Sequence, residues 1–160
     1  MLQFWKKHFL LCELILALLI TAAFGWWYLH DGKNYTYDLL KDNRQNIYGV
    51  AASIYGSLLG FAITAASIVI GFINSPRLRV VRNSPHYPTI WKVFFSTIKV
   101  LGLATIFSFL ALIFDKNTHP INAIFIAFFY TTILSLFRIL RSIWVLENII
   151  KILSAGQQTP

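Results

Sequence analysis

The chain has 160 residues, of which 57% are hydrophobic, 16% aromatic and only 12% charged. A domain facing water carries about 25% charged residues, so this composition excludes an ordinary soluble fold and indicates a membrane protein. The excess of Lys and Arg gives a net charge of +8, and a single cysteine, Cys12, excludes an intrachain disulfide and a multi-cysteine metal site.

The first apolar run, 9–29, follows Lys6 and Lys7 and ends in Trp26-Trp27-Tyr28. A charged start, an apolar core and the small residues Thr21-Ala22-Ala23 are also the parts of a secretory signal. The run is longer than usual for a signal, and the terminal aromatics suit an interfacial anchor. The expectation is therefore an uncleaved first transmembrane helix, with Cys12 as a small buried apolar group.

Residues 30–46 follow as an external loop, in which 38–45 could form a short surface helix. Asn34-Tyr35-Thr36 fits a glycosylation acceptor, but a chance triplet is the plainer reading.

The second run, 47–73, contains no charged side chain. At ~1.5 Å rise per residue it is about 40 Å long, enough to cross a ~30 Å hydrocarbon core. Ser53, Ser57, Gly60, Thr64, Ser67 and Gly71 recur along it at steps of four and three, which sets all six on one helical stripe. In lipid, small and hydroxylated residues mark where a helix meets another helix or water. One reading is close packing, aided by Gly56, Ala51, Ala52, Ala65 and Ala66. The other is an aqueous path, since hydroxyls can replace part of an ion's hydration. Four helices are too few to enclose a wide pore, so conduction requires a homo-oligomer, with a tetramer the expected count.

The segment 74–92 is expected on the cytoplasmic side, broken at Asn74-Ser75-Pro76 and again before Pro88, with Thr89 as N-cap of the next helix. Its Arg77, Arg79 and Arg82 form a basic patch for anionic headgroups or an acidic cytosolic partner. Direct nucleic-acid binding is not expected, since a basic patch alone gives unspecific, salt-sensitive attraction.

The third helix, 93–114, and the fourth, 121–137, are joined by a short turn that makes them an antiparallel hairpin. Beyond Phe137 the chain turns amphipathic, and Arg138 and Arg141 join the candidate contacts for a cytoplasmic partner or lipid. Two charges lie within apolar runs, Glu13 and Lys99, at similar depth. A charge inside the bilayer costs several kcal/mol, so Glu13 is expected to pair with Lys99 or, failing that, with Arg138.

Lys and Arg are concentrated on the side holding both termini and 74–92, whereas Asp31, Asp38, Asp42 and Asp115 dilute them on the other. The positive-inside rule then makes both ends cytoplasmic. The fold expected is all-α: a bundle of four transmembrane helices in the plasma membrane, with the fourth continued along the cytoplasmic interface.

No zinc, nucleophile-elbow or phosphate-loop motif occurs, which argues against an enzyme and against any cofactor. A glutamate in the first of four helices also resembles small multidrug transporters, where it would carry protons and cationic drugs. The wider plan resembles the small four-helix membrane subunits of bacterial antiphage defence systems, such as the Kiwa membrane component. The four apolar runs, Ser57-Leu58-Leu59-Gly60-Phe61 and Ser75-Pro76-Arg77-Leu78-Arg79 carry that resemblance. It implies a subunit that senses envelope disturbance or perturbs the membrane, with conduction along the second helix and a cytosolic partner docking at Arg77, Arg79 and Arg82. A non-conducting scaffold for such a partner is the remaining expectation.

Overall fold

The computed structural model describes residues 2–71, 87–116 and 120–155. They form α1 (Leu2–Trp27), a π-helical turn (Tyr28–Gly32), α2 (Lys33–Leu40), α3 (Arg44–Gly71), α4 (Tyr87–Phe114) and α5 (Asn122–Ala155). Among the described residues, four helical stretches are long and apolar enough to cross a membrane: Phe9–Leu40, Arg44–Ile68, Tyr87–Phe114 and Asn122–Asn148. The described residues thus form an all-helical structure with the makings of a multi-pass integral membrane protein.

The first helix does not stop at the expected boundary. Leu29 is followed by a single π turn and then by α2, so helical hydrogen bonding continues to Leu40. No proline interrupts this stretch, and Gly32 lets it pass beneath an aromatic ring. A Cβ at Gly32 would meet the Trp27 ring at 2.7 Å. The π turn buries Tyr28, and Leu40 packs on the core beyond it. Reversal takes only residues 41–43, with Asp42 at a φ of 64°, a left-handed conformation that Asp tolerates better than most residues.

Contacts at the two ends fix an up-and-down arrangement. Tyr28 at the end of the first span reaches Asn122 at the start of α5, and Arg44 at the start of α3 reaches Asp115 after α4. At the opposite end Phe9, Val93 and Val145 share one cluster. Helix α4 lies between α3 and α5, and α1 packs on α5. The buried positions of α4 are Val93, Thr97, Val100, Leu101, Ala104, Ser108 and Ala111, a helical stripe whose small members let neighbours approach.

Helix α4 includes Pro88 and Thr89 in its first turn rather than starting after Thr89. Proline is accepted there because first-turn N–H groups lack intrahelical partners. Helix α5 runs without a break through position 137. The amphipathic change expected at Arg138 is therefore a change of surface, not of backbone.

Candidate functional site

Two buried ion clusters stand at opposite ends of the bundle, and a polar stripe runs up its outside. The first cluster centres on Asp115, which is fully buried. Arg44 Nη1 donates to both carboxylate oxygens, at 3.0 and 2.9 Å, and the Tyr48 hydroxyl donates to Oδ2. The backbone N–H of Ile121 donates to Oδ1 at 2.7 Å, so one carboxylate ties α3 to α4 and also caps the entry to α5. The Arg44 guanidinium lies 5.6 Å from the Phe125 ring centroid, and the Tyr28 hydroxyl donates to Asn122 Oδ1 at 2.9 Å. The sequence pattern places Asp115 and Arg44 in external connections, whereas the structure buries both between helices. Their positions flanking apolar runs, with Tyr48 one turn after Arg44, are the signal that could have identified the pair.

The second cluster centres on Glu13, only 6% exposed. Arg138 Nη1 donates to Oε2 at 2.7 Å, and Arg141 Nε donates to Oε1 at 2.7 Å. Arg138 Nη2 donates to the Leu10 carbonyl at 2.8 Å. The expected Glu13–Lys99 pair is not made. Lys99 is exposed on α4 and forms no ion pair among the described residues, whereas Arg138, the fallback partner, is brought to Glu13 together with Arg141. Depth alone did not separate the candidates; helical face did. Lys99 falls two positions after Thr97, on the side of α4 turned away from α5.

Arg138 is thus enclosed in an internal cluster rather than open to a partner or lipid, and Arg141 joins that cluster while keeping part of its side chain at the surface. Arg138 is 4% exposed and turns its terminal nitrogens inward. Arg141 keeps some exposure and lies 4.9 Å from the Phe9 ring centroid and 6.0 Å from that of Trp144. Beside them the Thr97 hydroxyl lies 2.7 Å from Ser142 Oγ and 3.3 Å from the Arg138 carbonyl, joining α4 to α5. Arg77, Arg79 and Arg82 lie outside the described residues.

The stripe on α3 has an unexpected setting. Ser53, Ser57, Gly60, Thr64, Ser67 and Gly71 are all exposed on the single chain. The residues α3 turns inward are Tyr48, Ala52, Tyr55, Leu59, Ala62 and Ala66. At 100° per residue the two faces stand about 140° apart, so the stripe looks away from its own bundle. Among the described residues, a Cβ at Gly56, Gly60 or Gly71 would meet nothing within 4 Å. Gly56 and Gly60 therefore make no close packing contact with the described helices. The hydroxyls of Thr64 and Ser67 donate to the Gly60 and Ile63 carbonyls, both at 2.9 Å, which leaves their lone pairs facing out.

No protein-family model matches the chain, and neither the curated proteins nor the solved structures contain a significant match.

Proposed function

We propose that the protein is a homo-oligomeric, multi-pass membrane component that assembles through α3 and conducts ions along the hydroxyl stripe at the assembly axis. One observation supports this most: six small or hydroxylated residues face outward on the helix that the bundle covers least. Only 17% of the α3 span is buried within the chain, against 28–33% for the other three. Oligomeric contact between stripes would allow the close backbone approach that small residues permit and would gather hydroxyls around a water path.

The Lys- and Arg-rich end faces the cytoplasm, by the positive-inside rule. A role in sensing or perturbing the envelope during phage infection extends this reading, on the resemblance alone. Both Glu13 oxygens are engaged by guanidinium donors, which leaves no open carboxylate for the proton and drug exchange of a small multidrug transporter.

Purified protein in planar bilayers tests the proposal. The expected result is a current whose size or ion preference changes with Ser57→Ala or Thr64→Val. A cysteine placed at Ser57 should also cross-link to its counterpart in a second copy. Cross-linking without any current would turn the reading to a non-conducting scaffold, and the absence of both would remove it.

A further inference from the structure

The Glu13 cluster is not electrically balanced. It holds two guanidinium groups and one carboxylate. The chain has six acidic residues. Asp31, Asp38, Asp42 and Asp115 belong to the opposite end, and Glu147 is exposed and paired with Lys151 at 2.6 Å. No side-chain carboxylate remains to neutralise the second arginine. Arg138 is enclosed, so the surplus charge reaches the surface through Arg141. Its Nε and Nη2 both lie 2.7 Å from Glu13 Oε1, and its Nη1 makes no hydrogen bond among the described residues.

An open groove of about 360 Å³ is lined by Glu13, Leu16, Phe137, Leu140, Arg141 and Trp144. It lies between α1 and α5 and opens toward the surrounding membrane, with Leu140 and Trp144 prominent on its rim. Its position along the bundle is informative. Arg141 is 19 positions after Asn122, roughly 28 Å along the helix at 1.5 Å per residue. With Asn122 at one edge of a ~30 Å hydrocarbon core, Arg141 stands at the other edge, beneath the phosphate layer. Trp144, one turn farther, sits where interfacial tryptophans collect.

We infer that this groove is a binding site for one anionic phospholipid. Its phosphate accepts from Arg141 Nη1, and the upper part of one acyl chain lies along Leu16, Phe137 and Leu140. The occupant follows from charge and shape together: a surplus cation at headgroup depth calls for an anion, and the apolar groove beside it calls for a chain. The volume is at the small end of ligand sites, so it takes part of a lipid, the remainder staying in the bilayer. This inference requires membrane insertion but not conduction.

The test uses the full-length protein in detergent, titrated with phosphatidylglycerol or phosphatidylcholine, and read by native mass spectrometry and thermal unfolding. Wild-type protein should retain phosphatidylglycerol at least tenfold more strongly than phosphatidylcholine. Arg141→Gln should abolish that preference. Leu16→Trp, which fills the groove without touching the ion pairs, should lower retention of both lipids and keeps the test valid if the arginine variant fails to fold. Lys92→Gln, which removes an exposed charge at the same end, should change neither. Equal retention of the two lipids by wild-type protein would overturn the site. Preference surviving in the folded Arg141 variant, undiminished retention of both lipids in the Leu16 variant, or an equal fall in the Lys92 variant would also overturn it. Stabilisation by inorganic phosphate equal to that by phosphatidylglycerol would rule out the acyl-chain part.

Discussion

The two ends of the bundle treat buried charge in opposite ways. At the Asp115 end one arginine meets one carboxylate, both are enclosed, and Tyr48 and the Ile121 N–H each donate to one of its oxygens. At the Glu13 end two arginines share one carboxylate, and one of them keeps contact with the outside. A balanced, fully enclosed cluster can only hold helices together. An unbalanced cluster with an open flank can hold helices and also attract an anion. The first is a clasp; the second is a clasp with a vacancy in its electrostatics.

The largest effect belongs to Asp115→Ala. It leaves the Arg44 guanidinium buried without its counter-ion, removes the Tyr48 acceptor and uncaps α5. Breaking a buried pair from one side typically costs about 3–5 kcal/mol. Loss of monodisperse protein on size exclusion in detergent, or a collapse of the thermal transition, is the expected outcome. A variant as stable as wild type would mean that the Asp115 end does not clasp the bundle.

Glu13→Gln should cost less, although it also removes a buried carboxylate. Arg138 keeps the Leu10 carbonyl, and Arg141 can extend its head toward the interface. The amide keeps one acceptor oxygen, so one guanidinium retains a hydrogen bond to a neutral acceptor while the other faces an NH2 donor and must turn away, and a loss of about 1.5–3 kcal/mol follows. Thermal unfolding in the same detergent compares it directly with Asp115→Ala. An equal or larger loss would mean that the Glu13 end is as tightly enclosed as the other.

These clusters also mark how far the sequence can be read. Long, predominantly apolar runs reveal the spanning helices, because lipid allows few other backbone arrangements there. The same logic fails at the ends, where a polar residue is equally compatible with a loop and with a helix leaving the lipid. Asp31 and Lys33 look like loop residues, yet Asp31 lies in the π turn and Lys33 opens α2. Arg44 and Asp115 look like external charges for the same reason, and only tertiary packing brings them within hydrogen-bond distance. Glu13 was legible as a residue needing a partner. Its partner was not, since Lys99 and Arg138 lie at comparable depth and choosing between them needs the rotation of each helix. The α3 stripe was legible as a stripe, and its outward direction was not. Hydroxyl and glycine spacing gives a face but never says which neighbour that face meets.

The finest discrimination between the two ends comes from removing one arginine at each. Arg44→Gln should resemble Asp115→Ala, since Asp115 is then enclosed with no cation beside it and the penalty again falls at about 3–5 kcal/mol. Arg141→Gln should cost under about 1 kcal/mol, in the range of a partly exposed ion pair. Arg138 still donates to Glu13, and the cluster becomes a neutral one-to-one pair like its counterpart. Guanidine-free thermal scans at matched protein and detergent concentrations give both differences. The asymmetry is the point: the surplus guanidinium is the one the fold can do without. A residue that adds little to folding but sits charged at the headgroup boundary owes its effect to what lies outside the chain. A large destabilisation by Arg141→Gln would instead make both arginines equal partners in the clasp, and the two ends would then differ only in how tightly they are closed.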